Sequence, residues 1–212
     1  MEVSISENKV LWVDAEYNVW ETLDKVSKDS AVNWERINNL PSIVQVASGS
    51  THALFLDQNR CVWGRGNNRN GELGMGDLVP RPEPTKIENL PEIQAIWARH
   101  TSSYFLDIFN CLWCCGTNKI HFAQNINHLQ QTPVQITVLP PIKMVRVGLE
   151  FTIVLDMQGA VWFCGQYEEY YTNPSATFER IEFATSGVPP RILEIAAGST
   201  FALLLDENQQ VW

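Results

Sequence analysis

The chain has 212 residues, with 24 acidic side chains against 15 basic ones and a formal net charge of −9. An acidic surface repels phosphate backbones and no Lys/Arg run offsets it, so direct nucleic-acid binding is not expected. The apolar share is 45%, with eight Trp and nine Phe, which is ample for a packed core and excludes a disordered chain. No apolar stretch is long enough for a transmembrane helix. The start, Met1 to Glu7, lacks the basic and apolar regions of a secretory signal. Five cysteines form no disulfide framework, so an intracellular setting, cytoplasmic or nuclear, is expected.

Read along the chain, the same short pattern returns. An apolar run ends in an aspartate at Asp14, Asp57, Asp107, Asp156 and Asp206, in steps of 43, 50, 49 and 50 residues. Six residues after each stands a tryptophan: Trp20, Trp63, Trp113, Trp162 and Trp212. An apolar residue precedes every one of them, as in Val62 and Leu112. Sixteen residues before the last four aspartates stands a proline, at Pro41, Pro91, Pro140 and Pro190. Eight residues before them, Gly49, Gly148 and Gly198 agree and Arg99 does not.

The first unit, about 1–40, follows Trp20 with a charged stretch of helical character running to Arg36. In the second, about 41–90, His52 to Leu56 is apolar on both faces of a strand, as a sheet covered on both sides requires. The third, about 91–139, and the fourth, about 140–189, repeat this at Ser103–Leu106 and Thr152–Leu155. The fifth begins near 190 and breaks off at Trp212. Between each aspartate and its tryptophan the spacing predicts a tight hairpin. Gly159 and Asn110 suit a positive φ there, whereas Tyr17, Arg60 and Gln209 keep that turn chemistry only in part. Several short strands at a period near fifty residues define an all-β array of about four and a half propeller blades in a single region, 1–212. No Trp-Asp dipeptide and no Gly-Gly doublet is present, which sets aside the two propeller types that carry them.

The second unit reads Gly49-Ser50-Thr51-His52, then Gly64-Arg65-Gly66-Asn67, then Gly71-Glu72-Leu73-Gly74-Met75-Gly76-Asp77. It resembles the repeat of the regulator-of-chromosome-condensation (RCC1) family, with Glu72 in place of the usual Gln. The spacing holds nearly from end to end, while the Gly-rich loop occurs once; the third unit keeps Gly116-Thr117-Asn118 and the fourth keeps only Gly165. The resemblance implies a seven-bladed ring, which at this period needs about 350 residues. The chain is therefore expected to be a fragment of a longer array; an open array, completion by a partner chain and closure with fewer blades are the alternatives.

Candidate chemistry is thin. Cys111, Cys114 and Cys115 include a C-x-x-C, followed by His121 and His128. Cys111 is in register with Cys61, and Cys115 with Cys164, which makes them small strand residues rather than zinc ligands. Trp97-Ala98-Arg99-His100-Thr101 resembles a string used by an ultraviolet-B photoreceptor of the family, but out of register, so the tryptophans are read as packing residues. His52 is read as a structural histidine. Ser102, Phe151 and Phe201 match its position, so no polar ring forms. The aspartates are read as turn carboxylates accepting backbone N–H bonds. Tyr167 to Tyr171 is read as a solvated acidic-aromatic loop. No hydrolase, phosphate-loop or zinc-protease motif occurs, so no catalytic residue, cofactor or metal is expected. The expected role is a protein-interaction or scaffold module with a protein partner. The resemblance implies a small GTPase as one partner class and guanine-nucleotide exchange as the alternative activity; a ligand-binding or catalytic propeller is the remaining class.

Overall fold

A computed structural model describes residues 2–6, 9–22, 33–117, 129–148, 151–165, 175–183 and 189–212. Blade 1 is β1 (Glu2–Ile5), β2 (Val10–Val13), β3 (Val19–Thr22) and β4 (Trp34–Arg36). Blade 2 is β5 (Ile43–Ser48), β6 (His52–Asp57), β7 (Val62–Gly66) and β8 (Arg81–Lys86). Blade 3 is β9 (Ile93–Arg99), β10 (Ser102–Asp107), β11 (Leu112–Thr117) and β12 (Leu129–Gln135). Blade 4 is β13 (Ile142–Val147), β14 (Phe151–Asp156), β15 (Val161–Gly165) and β16 (Ser175–Arg180), and blade 5 contributes β17 (Ile192–Ala197) and β18 (Ala202–Asp206). Neighbouring strands in each sheet follow chain order, so the chain makes four four-stranded sheets and a two-stranded fifth, as the repeat predicts. Among the described residues there is no α-helix, and none could cross a membrane as a helix. The helical reading before Arg36 fails at its end: Trp34–Arg36 is a strand paired with β3, because the blade needs a fourth strand there. The rest of that stretch lies outside the described residues.

Each blade is locked at its second hairpin by the marker aspartate. One Oδ1 accepts the backbone N–H groups two and four residues on, and Oδ2 accepts the indole Nε1–H six residues on. At Asp57 the donors are Asn59 (2.8 Å), Cys61 (2.9 Å) and Trp63 (3.0 Å). At Asp156 they are Gln158, Ala160 and Trp162, each at 2.9 Å. Asp14 and Asp206 repeat the full set, and Asp107 holds Trp113 at 2.9 Å. For Asp14 the Trp20 bond leads in holding the carboxyl below its ordinary value. The tryptophans are thus partly exposed clamp residues, of which Trp63 and Trp113 also pack against the core as expected; the fully buried residue is the one before, with Val19, Val62, Leu112 and Val161 buried.

The third residue after each aspartate has positive φ in every blade: Tyr17 (65°), Arg60 (63°), Asn110 (64°), Gly159 (89°) and Gln209 (62°). The turn geometry is fully kept even where glycine is not, since the two carboxylate-bound N–H groups fix the hairpin around it. The bend aims that residue's carbonyl at the next blade. Ile43 N–H donates to Tyr17 (3.0 Å), Ile93 to Arg60 (3.0 Å), Ile142 to Asn110 (2.8 Å) and Ile192 to Gly159 (3.0 Å). Each of these isoleucines follows a repeat proline by two residues and is at most 1% exposed.

The chain divides into two compact units, the first holding blades 1 and 2 and most of blade 3, the second holding blades 4 and 5. In the first, Leu11, Val19 and Ile37 of blade 1 pack on Ile43, Val46 and Phe55 of blade 2. Leu54, Leu56 and Ile87 of blade 2 then pack on Ile93, Ile96 and Phe105 of blade 3. In the second, Ile153 and Leu155 of blade 4 pack on Ile192 and Ile195 of blade 5. The second strands β10 and β14 are buried at every position.

The repeat glycine is paired with the ring three residues on. A Cβ on Gly49 would stand 2.2 Å from the His52 ring, one on Gly148 2.2 Å from Phe151, and one on Gly198 2.5 Å from Phe201. Blade 3 breaks both halves together: Arg99 replaces the glycine and the small Ser102 replaces the ring.

Two outcomes follow from these contacts. Asp156→Ala removes three charge-assisted bonds and should lower stability by about 2–4 kcal/mol in urea unfolding, with Trp162→Phe costing about 1 kcal/mol. Gly49→Ala should destabilise strongly alone but less beside His52→Ser, giving a coupling of about 1 kcal/mol or more in a double-mutant cycle.

Candidate interaction site

The second blade carries the most specialised surface. His52 opens β6 at 4% exposure. Its Nε2 lies 2.9 Å from Ser103 Oγ of blade 3, and Ser103 Oγ donates to the Glu72 carbonyl at 2.6 Å. Its Nδ1 is buried without a well-formed hydrogen bond. Burial pushes the imidazole down to about 4, only partly offset by the His100 backbone, so His52 is neutral near pH 7.

The Gly-rich loop 67–77 anchors beside it. Glu72 is fully buried, accepting from Asn67 Nδ2 (2.9 Å) and Asn70 N–H (2.7 Å). Asn68 accepts Leu73 N–H at 2.9 Å and donates to the Asp77 carbonyl at 2.9 Å. Gly76 N–H reaches the Gln131 carbonyl of β12 at 2.9 Å, and a Cβ on Gly74 would meet Cys115 Sγ and Pro133 at 3.0 Å. The loop is a strap fastening blade 2 to blade 3.

Between blades 1 and 2 lies a pocket of about 320 Å³. Leu11, Ile37 and Phe55 form its apolar floor; Lys9, Glu21 and Arg65 line one side. Glu21, on β3, is 6% exposed and holds two cations: Lys9 Nζ at 2.7 Å and Arg65 Nη1 at 2.8 Å. Arg65 Nε also donates to the Pro82 carbonyl at 2.9 Å. Burial pushes the Glu21 carboxyl up, but the bonds and charges of Lys9 and Arg65 outweigh it and keep the group below its ordinary value. The trio carries one surplus positive charge at neutral pH.

A model of the regulator of chromosome condensation (RCC1) repeat matches residues 43–72. Residues 43–72 form an RCC1 repeat. Among solved structures, human WBSCR16 is similar at 17% identity and a TM-score of 0.82, covering 100% of this chain and 60% of that one. Yeast RCC1 (Prp20), bound to Kap60, is similar at 18% identity and 0.77, covering 99% and 54%. Prp20p from Saccharomyces cerevisiae is similar at 16% identity and 0.78, covering 98% and 56%. The chain thus spans between half and two thirds of these relatives, which share its RCC1-like propeller fold. No curated protein matches.

In this RCC1-like frame His52 is a blade-to-blade link. Cys114, Cys115 and Cys164 are buried strand residues, with burial pushing the Cys115 thiol up and the Cys164 thiol up to about 12. Cys111 and Cys61 precede their strands and are half-buried. Among the described residues no group of three or more His, Cys, Asp or Glu is placed to hold a metal; His121 and His128 lie outside them, as does Tyr167–Tyr171. His100 sits at a turn with φ 47°, its Nδ1 3.2 Å from Ser50 Oγ. The sequence reading did not single out Lys9, Glu21 or Arg65. A signal was available: Glu21 occupies the register position of Gly64 and Cys114, and Arg65 that of Cys115 and Cys164.

The His52 environment predicts an acid sensitivity. The unfolded chain takes up a proton near 6.5 and the folded one only near 4, so stability should fall as pH drops across that window. The loss should reach at most about 3 kcal/mol and be absent in His52→Phe, compared by thermal melts across pH.

Proposed function

We propose that this chain is a protein-interaction module of RCC1-like type that recognises its partner without covalent chemistry. One observation carries the reading. Among the described residues, the buried carboxyl and imidazole side chains are Glu21, His52, Asp57, Glu72, Asp107, Asp156 and Asp206. Each is engaged in a blade clamp, the loop strap, the cation trio or the His52–Ser103 link. These groups hold shape, and exposed side chains are left to make contacts. Exposed apolar residues near hairpin tips, such as Tyr17, Phe109 and Met157, supply contact material of the kind interfaces use.

A second reading is guanine-nucleotide exchange on a small GTPase, favoured by the likeness to Prp20p, whose binding to Gsp1p and histones is described. The experiment immobilises the full chain, identifies captured proteins and measures nucleotide release from any captured GTPase. The expected result is saturable capture with release unchanged. Failure to capture any protein defeats the module; release accelerated by about tenfold or more replaces scaffolding with exchange.

A further inference from the structure

We infer that the pocket between blades 1 and 2 binds the carboxyl-terminal end of a partner polypeptide, seating an apolar side chain below a free carboxylate. The floor is hydrocarbon: Leu11, Ile37 and Phe55. Its size, about 320 Å³, lies near the lower limit for built ligand sites and suits one or two residues. An apolar group placed there leaves water for surfaces already shaped to receive it.

The polar side decides the ligand's charge. Glu21 would repel an anion alone, but both of its oxygens are engaged by cations. Lys9 Nζ makes one bond, to Glu21, and keeps donors for another acceptor. Arg65 uses Nε and Nη1, which leaves Nη2. Two cations held by one carboxylate form a preorganised, net-positive clamp for a second carboxylate, and its charge-assisted bonds are the strong class. Glu21 fixes the clamp by positioning Lys9 and Arg65, without touching the ligand.

Placement argues for a chain end over a small acid. Lys9 is 52% exposed and Thr51 is exposed at the same pocket. A carboxylate held beside Lys9 is open to solvent, as the junction with a longer polypeptide requires. The proposal names the chemistry of one contact of the interaction module, and its test is separate from partner capture.

The full chain is titrated calorimetrically with short peptides ending in free Leu, Ile, Val or Phe, with the same peptides amidated, and with isocaproate. The free carboxylate form should bind, and amidation should weaken it roughly tenfold or more. Lys9→Gln and Arg65→Gln should each weaken binding about three- to tenfold. Thr51→Trp, at an exposed position, should block it while leaving the melting curve unchanged. Arg65→Gln strips one cation from buried Glu21 and is the variant at risk of misfolding; Lys9→Gln, at a half-exposed side chain, keeps the test decisive. Four results would each overturn the proposal: no peptide binds; amides bind as well as acids; the three variants bind like the parent; or isocaproate binds as tightly as the peptides. Capture of partner proteins by the parent chain would still support the module if this site fails.

Discussion

One aspartate carboxylate per blade organises the rest. It gathers two backbone N–H groups and an indole N–H from the six residues that follow, closing the hairpin between the second and third strands. Three short-range bonds order few residues, so the entropy opposing them is small. They also hold one residue in the left-handed region, which costs a non-glycine residue about 1–2 kcal/mol. That bend delivers a carbonyl to the isoleucine heading the next blade. Local closure and blade-to-blade attachment are therefore one device, and the hydrophobic packing of neighbouring blades builds on the alignment it sets.

A second coupling works at the opposite turn. A ring needs a glycine three residues earlier, and where blade 3 gives up one it gives up the other. His52 adds a polar link that phenylalanine cannot make, at the cost of a buried imidazole that resists protonation. The loop 67–77 fastens the same two blades. Blade 2 is thus tied to blade 3 by a loop, a histidine and a carbonyl bond together, which fits its position as the most complete repeat.

The blade frame was legible because period and register survive in single residues: the aspartate, the tryptophan, the proline. The local turn was legible only in part. Glycine and asparagine suggest a left-handed residue, but tyrosine, arginine and glutamine do not, and it is the carboxylate that imposes the geometry on them. The tryptophans read as packing residues because they are large and regular, and Trp63 and Trp113 do pack against the core; what their size did not reveal is the indole N–H bond that ties each to its hairpin carboxylate. The Lys9–Glu21–Arg65 trio was hidden for a different reason. Its Arg65–Glu21 bond joins blades 44 residues apart in sequence. The trace it left was two charges at strand positions that other blades fill with glycine, cysteine, phenylalanine or threonine.

The freedom of side-chain identity at the left-handed turn has a consequence for recognising relatives. Blade 2 alone carries the Gly-rich loop, although its neighbours share the same hairpin. Distant members of this architecture are better found by the aspartate and tryptophan six residues apart, followed by a proline and isoleucine at the next blade. Within this chain that pattern follows the hydrogen bonds, and it recurs in the blades that lack the Gly-rich loop.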